Sequence, residues 1–274
     1  MGKRKLFCEY GPVCYQISLQ KEYALRRLQD LLGGETFAKK RTDSLLPEMV
    51  KAHRSLLLRR LEGVDMALQQ NKAQNLRLAC GRIDGLLIAP GETFSFWRLV
   101  GRCTSRKGYL EGLAIANGKP VRAVGGGLCQ LANLIHWMVL QSPLTVTELH
   151  HHTDALFPDS GRRVPFGTGT SIFYNNVDYR FRNDTRQTFQ LKVWLEEGDL
   201  CGELRCEHPL PCRYRIEERD HHYRLEPDGY YRISQIWRKI TDRATGEVLS
   251  QEMVFANHSK VLYDPALIPP EEIR

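Results

Sequence analysis

Residues 113–140 read LAIANGKPVRAVGGGLCQLANLIHWMVL and combine a hairpin signal with a helix signal. Asn117-Gly118 lies between two apolar runs, which is typical of a β-hairpin with a type I′ turn. Gly125-Gly126-Gly127 follows the hairpin, and the apolar run at residues 128–140 has the length of a helix. We therefore predict a hairpin, a glycine turn and a helix in succession, followed by a strand at residues 144–149.

The sequence on either side of this stretch differs in its periodicity. Apolar spacing on the N-terminal side predicts helices at residues 19–32, 47–64 and 71–85. On the C-terminal side, alternation of apolar and polar residues predicts strands at residues 172–181, 189–195, 200–206 and 230–240. We expect an α+β fold with N-terminal helices, a central Cys-helix/His-strand unit and a C-terminal antiparallel sheet.

Composition excludes several classes of protein. The chain has 274 residues, of which 42% are hydrophobic and 26% charged, so it is neither a disordered nor a low-complexity protein. It contains no apolar run near the roughly 18 residues that a membrane span needs. The basic start is interrupted before an apolar signal-peptide core develops, so we expect a cytoplasmic protein without a transmembrane segment.

The net charge of +7 comes entirely from the N-terminal fifth of the chain. Residues 1–60 hold 13 Lys and Arg against 6 Asp and Glu, and the remainder is balanced. A basic end of this kind suits nucleic acid or an anionic membrane surface, but it is more often a solvated helix face. The sequence has no zinc-finger or helix-turn-helix signature, so we expect no nucleic-acid partner.

Eight cysteines are too few for a disulfide scaffold in a chain of this length, and we expect reduced thiols. Cys201, Cys206, His208 and Cys212 lie close together in the sequence. Their spacing lacks the paired C-x2-C knuckles that hold a structural zinc ion, so we predict no metal there.

Cys129 is the candidate nucleophile because it begins the helix that follows the three glycines. The positive end of the helix dipole favours the thiolate and lowers the thiol pKa. Uncovered amides at Gly126 and Gly127, supplemented by Gln130, are suited to holding substrate or an oxyanion. The alternative is that the glycines serve packing and that the cysteine is inert.

A nucleophilic cysteine needs a base, and the histidine run offers one. His136 lies about 10 Å along the same helix, which is too far for a hydrogen bond. On the following strand, Glu148, His150 and His152 share one face while His151 points the other way. Such a Cys–His arrangement is typical of thiol hydrolases and acyltransferases, but the histidines also suit a metal site with Cys129, or a solvated strand end.

Five separated motifs together resemble the VanW family across residues 75–207. They are Pro90-Gly-Glu-Thr-Phe-Ser-Phe96, Asn117-Gly118-Lys119, Gly125-Gly-Gly-Leu-Cys-Gln130, Glu148-x-His-x-His152 and Asp178-Tyr-Arg-Phe-Arg-Asn-Asp-Thr185. The resemblance implies an accessory role in the bacterial cell wall or in glycopeptide resistance, without a settled reaction. It also suggests three regions, namely an N-terminal helical region (residues 1–70), a VanW-like core domain (71–210) and a C-terminal β extension (211–274).

The family pattern is incomplete in this chain. Leu149 stands where members often have Arg, and Gly169 stands where an Asp would complete a Cys-His-Asp set like that of transglutaminase-like folds. Glu148, on the His150 face, or Asp154 remains as a substitute for the missing carboxylate. Three hypotheses stay open: a thiol enzyme, a non-catalytic binding module of the same fold, and a metal site built from His150, His152 and Cys129.

In the enzyme hypothesis, an acyltransferase or amidohydrolase acts on a cell-wall peptide or its precursor without a cofactor. Cys129 is the nucleophile, His150 the base, and His152 or Glu148 the orienting group. The predicted substrate-binding residues are Gly126, Gly127, Gln130 and Glu92. The sequence does not determine the oligomeric state.

Overall fold

The computed structural model describes residues 5–58, 66–116, 119–151, 154–156, 158 and 164–274. The α-helices are α1 (Pro12–Leu32), α2 (Met66–Ile83), α3 (Phe96–Val100) and α4 (Cys129–Val139). The strands are β1 (Thr36–Phe37), β2 (Glu48–Leu56), β3 (Leu86–Ile88), β4 (Glu92–Ser95), β5 (Glu111–Ala116), β6 (Lys119–Val124), β7 (Thr145–Glu148), β8 (Asp154–Ala155), β9 (Arg180–Arg182), β10 (Phe189–Glu196), β11 (Asp199–Cys206), β12 (Cys212–Glu226), β13 (Gly229–Asp242) and β14 (Val248–Val261). The α+β class expected from the sequence is confirmed.

Three four-stranded sheets and one hairpin organise these strands. The first sheet has the order β1-β4-β9-β7, the second β2-β11-β10-β3 and the third β12-β13-β14-β8, while β5 pairs with β6. Ala116 pairs with Lys119, as in a two-residue hairpin, although Asn117 and Gly118 themselves lie outside the described residues. None of the helices in the described ranges is both long enough and apolar enough to span a bilayer.

The main core lies between the helices and the first two sheets. Leu76 and Ile83 of α2 and Leu131 and Ile135 of α4 are completely buried. Helix α4 packs closely on β11 because Gly202 has no side chain, and a Cβ there would lie 2.6 Å from Leu134. The third sheet has a smaller core of its own, formed by Ala155, Phe166, Tyr223, Val261 and Ile268.

The glycine turn before α4 is packed against the hairpin. A Cβ on Gly126 would lie 2.3 Å from the backbone of Gly112 in β5. A Cβ on Gly125 would lie 2.6 Å from the Cβ atom of Cys103. Gly125 and Gly127 also have φ values of 82° and 93°, which favour glycine. These glycines therefore let two backbone segments touch and fix where α4 begins.

Two predicted elements are wrong. Residues 48–56 form strand β2 rather than part of a helix, because tertiary pairing with β11 along its length overrides the helical spacing of the leucines. The strand predicted at residues 172–181 is mostly a loop, in which the Phe173 amide bonds to the carbonyl of Val177 and Asn175 has a φ of 60°. Only Arg180–Arg182 pairs as a strand.

Candidate functional site

Cys129 begins α4 as predicted, and the residue is half-buried. The sulfur contacts the carbonyl oxygen of Ile172 at 4.0 Å. Burial raises the pKa of the Cys129 thiol, and hydrogen bonds from nearby backbone only partly oppose this shift. The direction is therefore opposite to the lowering expected from the helix dipole.

The groups expected to surround a reacting substrate are engaged elsewhere. The Gly125 amide donates to the Leu110 carbonyl at 2.9 Å and the Gly126 amide to the Ala123 carbonyl at 3.0 Å, so neither is free for an oxyanion. Gln130 donates to Ser55 Oγ and to the Leu56 carbonyl on β2.

The remaining two predicted substrate-binding residues lie in turns of the fold. Glu92 accepts a hydrogen bond from the Ala89 amide at 2.9 Å, which caps the turn before β4. Gly127 lies against the aliphatic part of Lys72, and a Cβ there would come within 2.3 Å of that side chain. The structure thus gives these positions structural contacts.

The histidine run follows strand β7. His150 Nε2 lies 3.1 Å from Glu148 Oε1, so the base and the orienting carboxylate of the sequence hypothesis are hydrogen-bonded. The His151 ring stacks on Phe255 of β14 with 3.6 Å between centroids. His152 lies outside the described residues, so the metal-site hypothesis that uses it stays a prediction. Among the residues that are described, no group of three His, Cys, Asp or Glu side chains converges as metal ligands would.

One loop connects the cysteine to the histidine run. The Ser171 amide donates to the His150 carbonyl at 2.6 Å, and the next residue, Ile172, supplies the carbonyl that contacts Cys129. A Cβ on Gly169 would lie 3.4 Å from the Asn133 amide oxygen, one helical turn beyond Cys129. The two segments are thus neighbours, although the His150 ring bonds to Glu148 and the Cys129 sulfur to backbone.

Glu148 belongs to a larger charged cluster that the sequence analysis did not identify. Its Oε1 accepts from the Asp178 amide at 3.0 Å, and its Oε2 lies 3.4 Å from Arg180 Nε. Arg180 Nε also donates to Asp178 Oδ2 at 2.9 Å. Burial alone would raise the pKa of Glu148, but hydrogen bonds from Arg26 and His150 outweigh it and hold that pKa below its usual range.

Asp178 is fixed by the loop that begins α3. Its carboxylate accepts from the Ser95 hydroxyl at 2.5 Å and from the Trp97 amide at 3.0 Å. Only 2% of its side chain is exposed. Asp178 and Arg180 lie within the 178–185 motif quoted above, so their sequence signal was present, but strand alternation gave no reason to place them beside Glu148.

Helix α1 completes the cluster. Arg26 pairs with Glu148, and Asp30 pairs with Arg180 at 2.8 Å and with Arg98 at 3.1 Å. Burial alone would raise the pKa of Asp30, but its bonds to Arg180 and Arg98 lower it below its usual range.

Around this cluster is an open cavity of about 230 Å³. Its lining residues are Arg26, Gln29, Asp30, Gly33, Glu35, Thr147, Glu148 and Arg180.

Comparisons with known proteins agree with the motifs. A family model described as VanW like protein matches residues 71–205. The chain is 36% identical over 201 residues to the Vancomycin B-type resistance protein VanW of Enterococcus faecalis, and the alignment covers 73% of each protein. It is 29% identical over 146 residues to the uncharacterized protein YoaR of Bacillus subtilis, covering 53% of this chain and 46% of that protein. No solved structure matches the chain. On the strength of the motifs, the family model and this identity, the chain belongs to the VanW family.

Proposed function

We propose that this chain is an accessory protein of glycopeptide resistance that binds a cell-wall peptide or its precursor in the charged cavity beside β7. The E. faecalis relative is a vancomycin B-type resistance protein by name, which supports the proposed role in glycopeptide resistance. The observation that carries the binding role is the cavity itself, where the Glu148 carboxylate and the Arg180 guanidinium lie side by side. A peptide that carries both an amine and a carboxylate is complementary to this pair of charges.

Calorimetric titration of the full chain with the tripeptide Lys-D-Ala-D-Ala tests this proposal. We expect binding that weakens about tenfold or more when the C-terminal carboxylate is amidated, since a charged hydrogen bond of about 1.4 kcal/mol or more is lost. Equal binding of the acid and the amide would contradict the assignment.

Matched variants on β7 locate the binding site. Thr147 is exposed and lines the cavity, so Thr147→Trp fills it and should abolish binding. Thr145, two residues earlier on the same strand, is also exposed but does not line the cavity, and Thr145→Trp should bind like the parent. Equal loss in both variants would place the peptide elsewhere.

A thiol acyltransferase or amidohydrolase is the second candidate function. The observations in its favour are the Glu148–His150 hydrogen bond and the 171–172 loop that joins the histidine segment to Cys129. Its chemistry needs a reachable thiolate, whereas burial raises the pKa of Cys129.

Iodoacetamide labelling between pH 5 and 9 with peptide mapping separates the two functions. The binding role predicts that Cys129, whose thiol pKa is raised by burial, is not the first cysteine to react, and that Cys129→Ser leaves tripeptide binding unchanged. If Cys129 reacts first and His150→Ala slows that reaction, the enzyme hypothesis replaces the binding one.

A further inference from the structure

Helix α1 is held on the molecule mainly by charged side chains rather than by apolar burial. None of its apolar residues is buried, and Leu31 and Leu32 are 79% and 77% exposed. Beyond the ion pairs, its contacts with the body include Tyr23, whose ring meets Tyr174 edge-on at 5.1 Å and whose carbonyl accepts from the Asn175 amide group. A helix attached in this way contributes little apolar stabilisation.

Two residues of α1 fill the site formed by Arg98, Glu148, Asp178 and Arg180, which we call the charged site. The Arg26 guanidinium forms an ion pair with the Glu148 carboxylate and lies 3.9 Å from the Asp178 carboxylate. Asp30, one turn further along α1, forms an ion pair with the Arg180 guanidinium. Only 6% of the Asp30 side chain is exposed. A cation and an anion about 5–6 Å apart at their Cβ atoms therefore occupy the site together.

The site and its occupant come from different parts of the chain. Arg98, Glu148, Asp178 and Arg180 all lie within the region matched by the family model, whereas α1 lies before it. The charged site therefore belongs to the family domain, and the side chains that fill it are supplied from outside that domain.

We propose that α1 is an intramolecular ligand, in which Arg26 and Asp30 occupy the site that a peptide bearing a cation and a carboxylate takes when α1 is displaced. That the displacing peptide derives from the cell wall rests on the proposed function. Displacement is feasible because desolvation offsets much of the attraction in such ion pairs, and a ligand that makes the same pairs replaces what it breaks. Occupancy by α1 lowers the apparent affinity for any competing peptide in proportion to the docked fraction.

The experiment compares full-length variants with a fluorescein-labelled peptide of residues 12–32 as the probe. Arg26→Ala combined with Asp30→Ala empties the site, and we expect it to bind the probe about tenfold or more tighter than the parent does. The probe carrying the same two substitutions should not bind. Lys21→Ala combined with Glu22→Ala is the matched control, because it removes one cation and one anion from exposed positions of the same helix and should leave affinity unchanged.

Arg26→Gln alone is a second variant for the case that the double variant folds poorly, because it retains the ion pairs of Asp30. It should bind the probe more tightly than the parent does. Equal probe binding to the parent and both site variants would overturn the intramolecular ligand. Competition of Lys-D-Ala-D-Ala with the bound probe would support a cell-wall peptide as the natural occupant. If the probe binds as expected but the tripeptide neither competes nor binds, α1 is the ligand of the site and the proposed function fails.

Discussion

At the scale of single residues, Cys129 shows how two effects on one thiol compare. The helix dipole at an N-terminus contributes about 0.3–1 kcal/mol, which is less than the roughly 1.4 kcal/mol of one pKa unit. Burial shifts the pKa of an ionisable group by up to about 3–5 units. Cys129 is half-buried and its sulfur meets a carbonyl oxygen, so burial outweighs the dipole and the pKa of the thiol rises. The sequence reveals the helix start but not the burial of the thiol.

His136 should make the protein less stable in mild acid. It is buried in α4 with Nδ1 3.2 Å from the Tyr179 hydroxyl, and burial, with a smaller contribution from nearby His151, lowers its pKa to about 3. Between that value and the ordinary value of about 6.5, the unfolded chain binds a proton that the folded chain excludes. The free energy of unfolding should therefore fall by about 1.4 kcal/mol per pH unit on this account as the pH drops through that window.

Urea unfolding of the parent and of His136→Gln between pH 7 and 4 measures this contribution. The variant should be less stable at pH 7 because it loses packing, but its stability should decrease less steeply with acid. Parallel curves for the two proteins would mean that His136 takes up its proton in the folded state at an ordinary pH.

At the scale of elements, two glycines that look alike in the sequence should respond oppositely to alanine. Gly126 touches the backbone of Gly112, so Gly126→Ala should lower the free energy of unfolding by about 2 kcal/mol or more through overpacking. Gly81 lies in α2 with open space around its Cβ position, so Gly81→Ala should raise stability by about 0.5–1 kcal/mol. Chemical denaturation of both variants provides the measurement, and a tolerated Gly126→Ala would contradict the close contact between the turn and the hairpin.

The elements found from the sequence are those with local signals. Gly33 ends α1 as predicted, the strands that flank Asn117-Gly118 pair in the expected register, and the apolar run after the glycines is α4. The errors concern elements whose partners are distant in sequence. Strand β2 exists because β11 pairs with it about 150 residues later, and no local pattern reports such a partner.

The contacts of the candidate site likewise fall into those that a local sequence pattern predicts and those that depend on distant parts of the chain. Alternation on a strand predicts that Glu148 and His150 share a face, and the two are hydrogen-bonded. The pairs of Arg26 and Asp30 with Glu148 and Arg180 depend on how α1 lies against the first sheet. Because tertiary docking decides those contacts, no local sequence pattern predicts them.

At the scale of the whole molecule, two parts of the N-terminal region differ in how extensively they contact the rest of the fold. Helix α1 buries no apolar residue, whereas β2 pairs with β11 along its length and Leu57 and Ala38 enter the main core. The Gln190 side chain also bonds to the backbone of residues 42–46. From these contacts we propose a structural boundary near residue 34 as an alternative to the boundary at residue 70, which stays a prediction.

Two truncations test where that boundary lies. A chain that begins at Glu35 loses α1 but keeps every strand, so we expect it to fold with a melting temperature within a few degrees of the parent. A chain that begins at Met66 also loses β2, which exposes β11 as an unpaired edge and uncovers part of the core, and we expect it to aggregate. Circular dichroism with thermal melting and size-exclusion chromatography report both outcomes. A stable monomer from the shorter chain would restore the boundary at residue 70, and an unfolded longer chain would show that the α1 ion pairs hold the fold together rather than only filling the charged site.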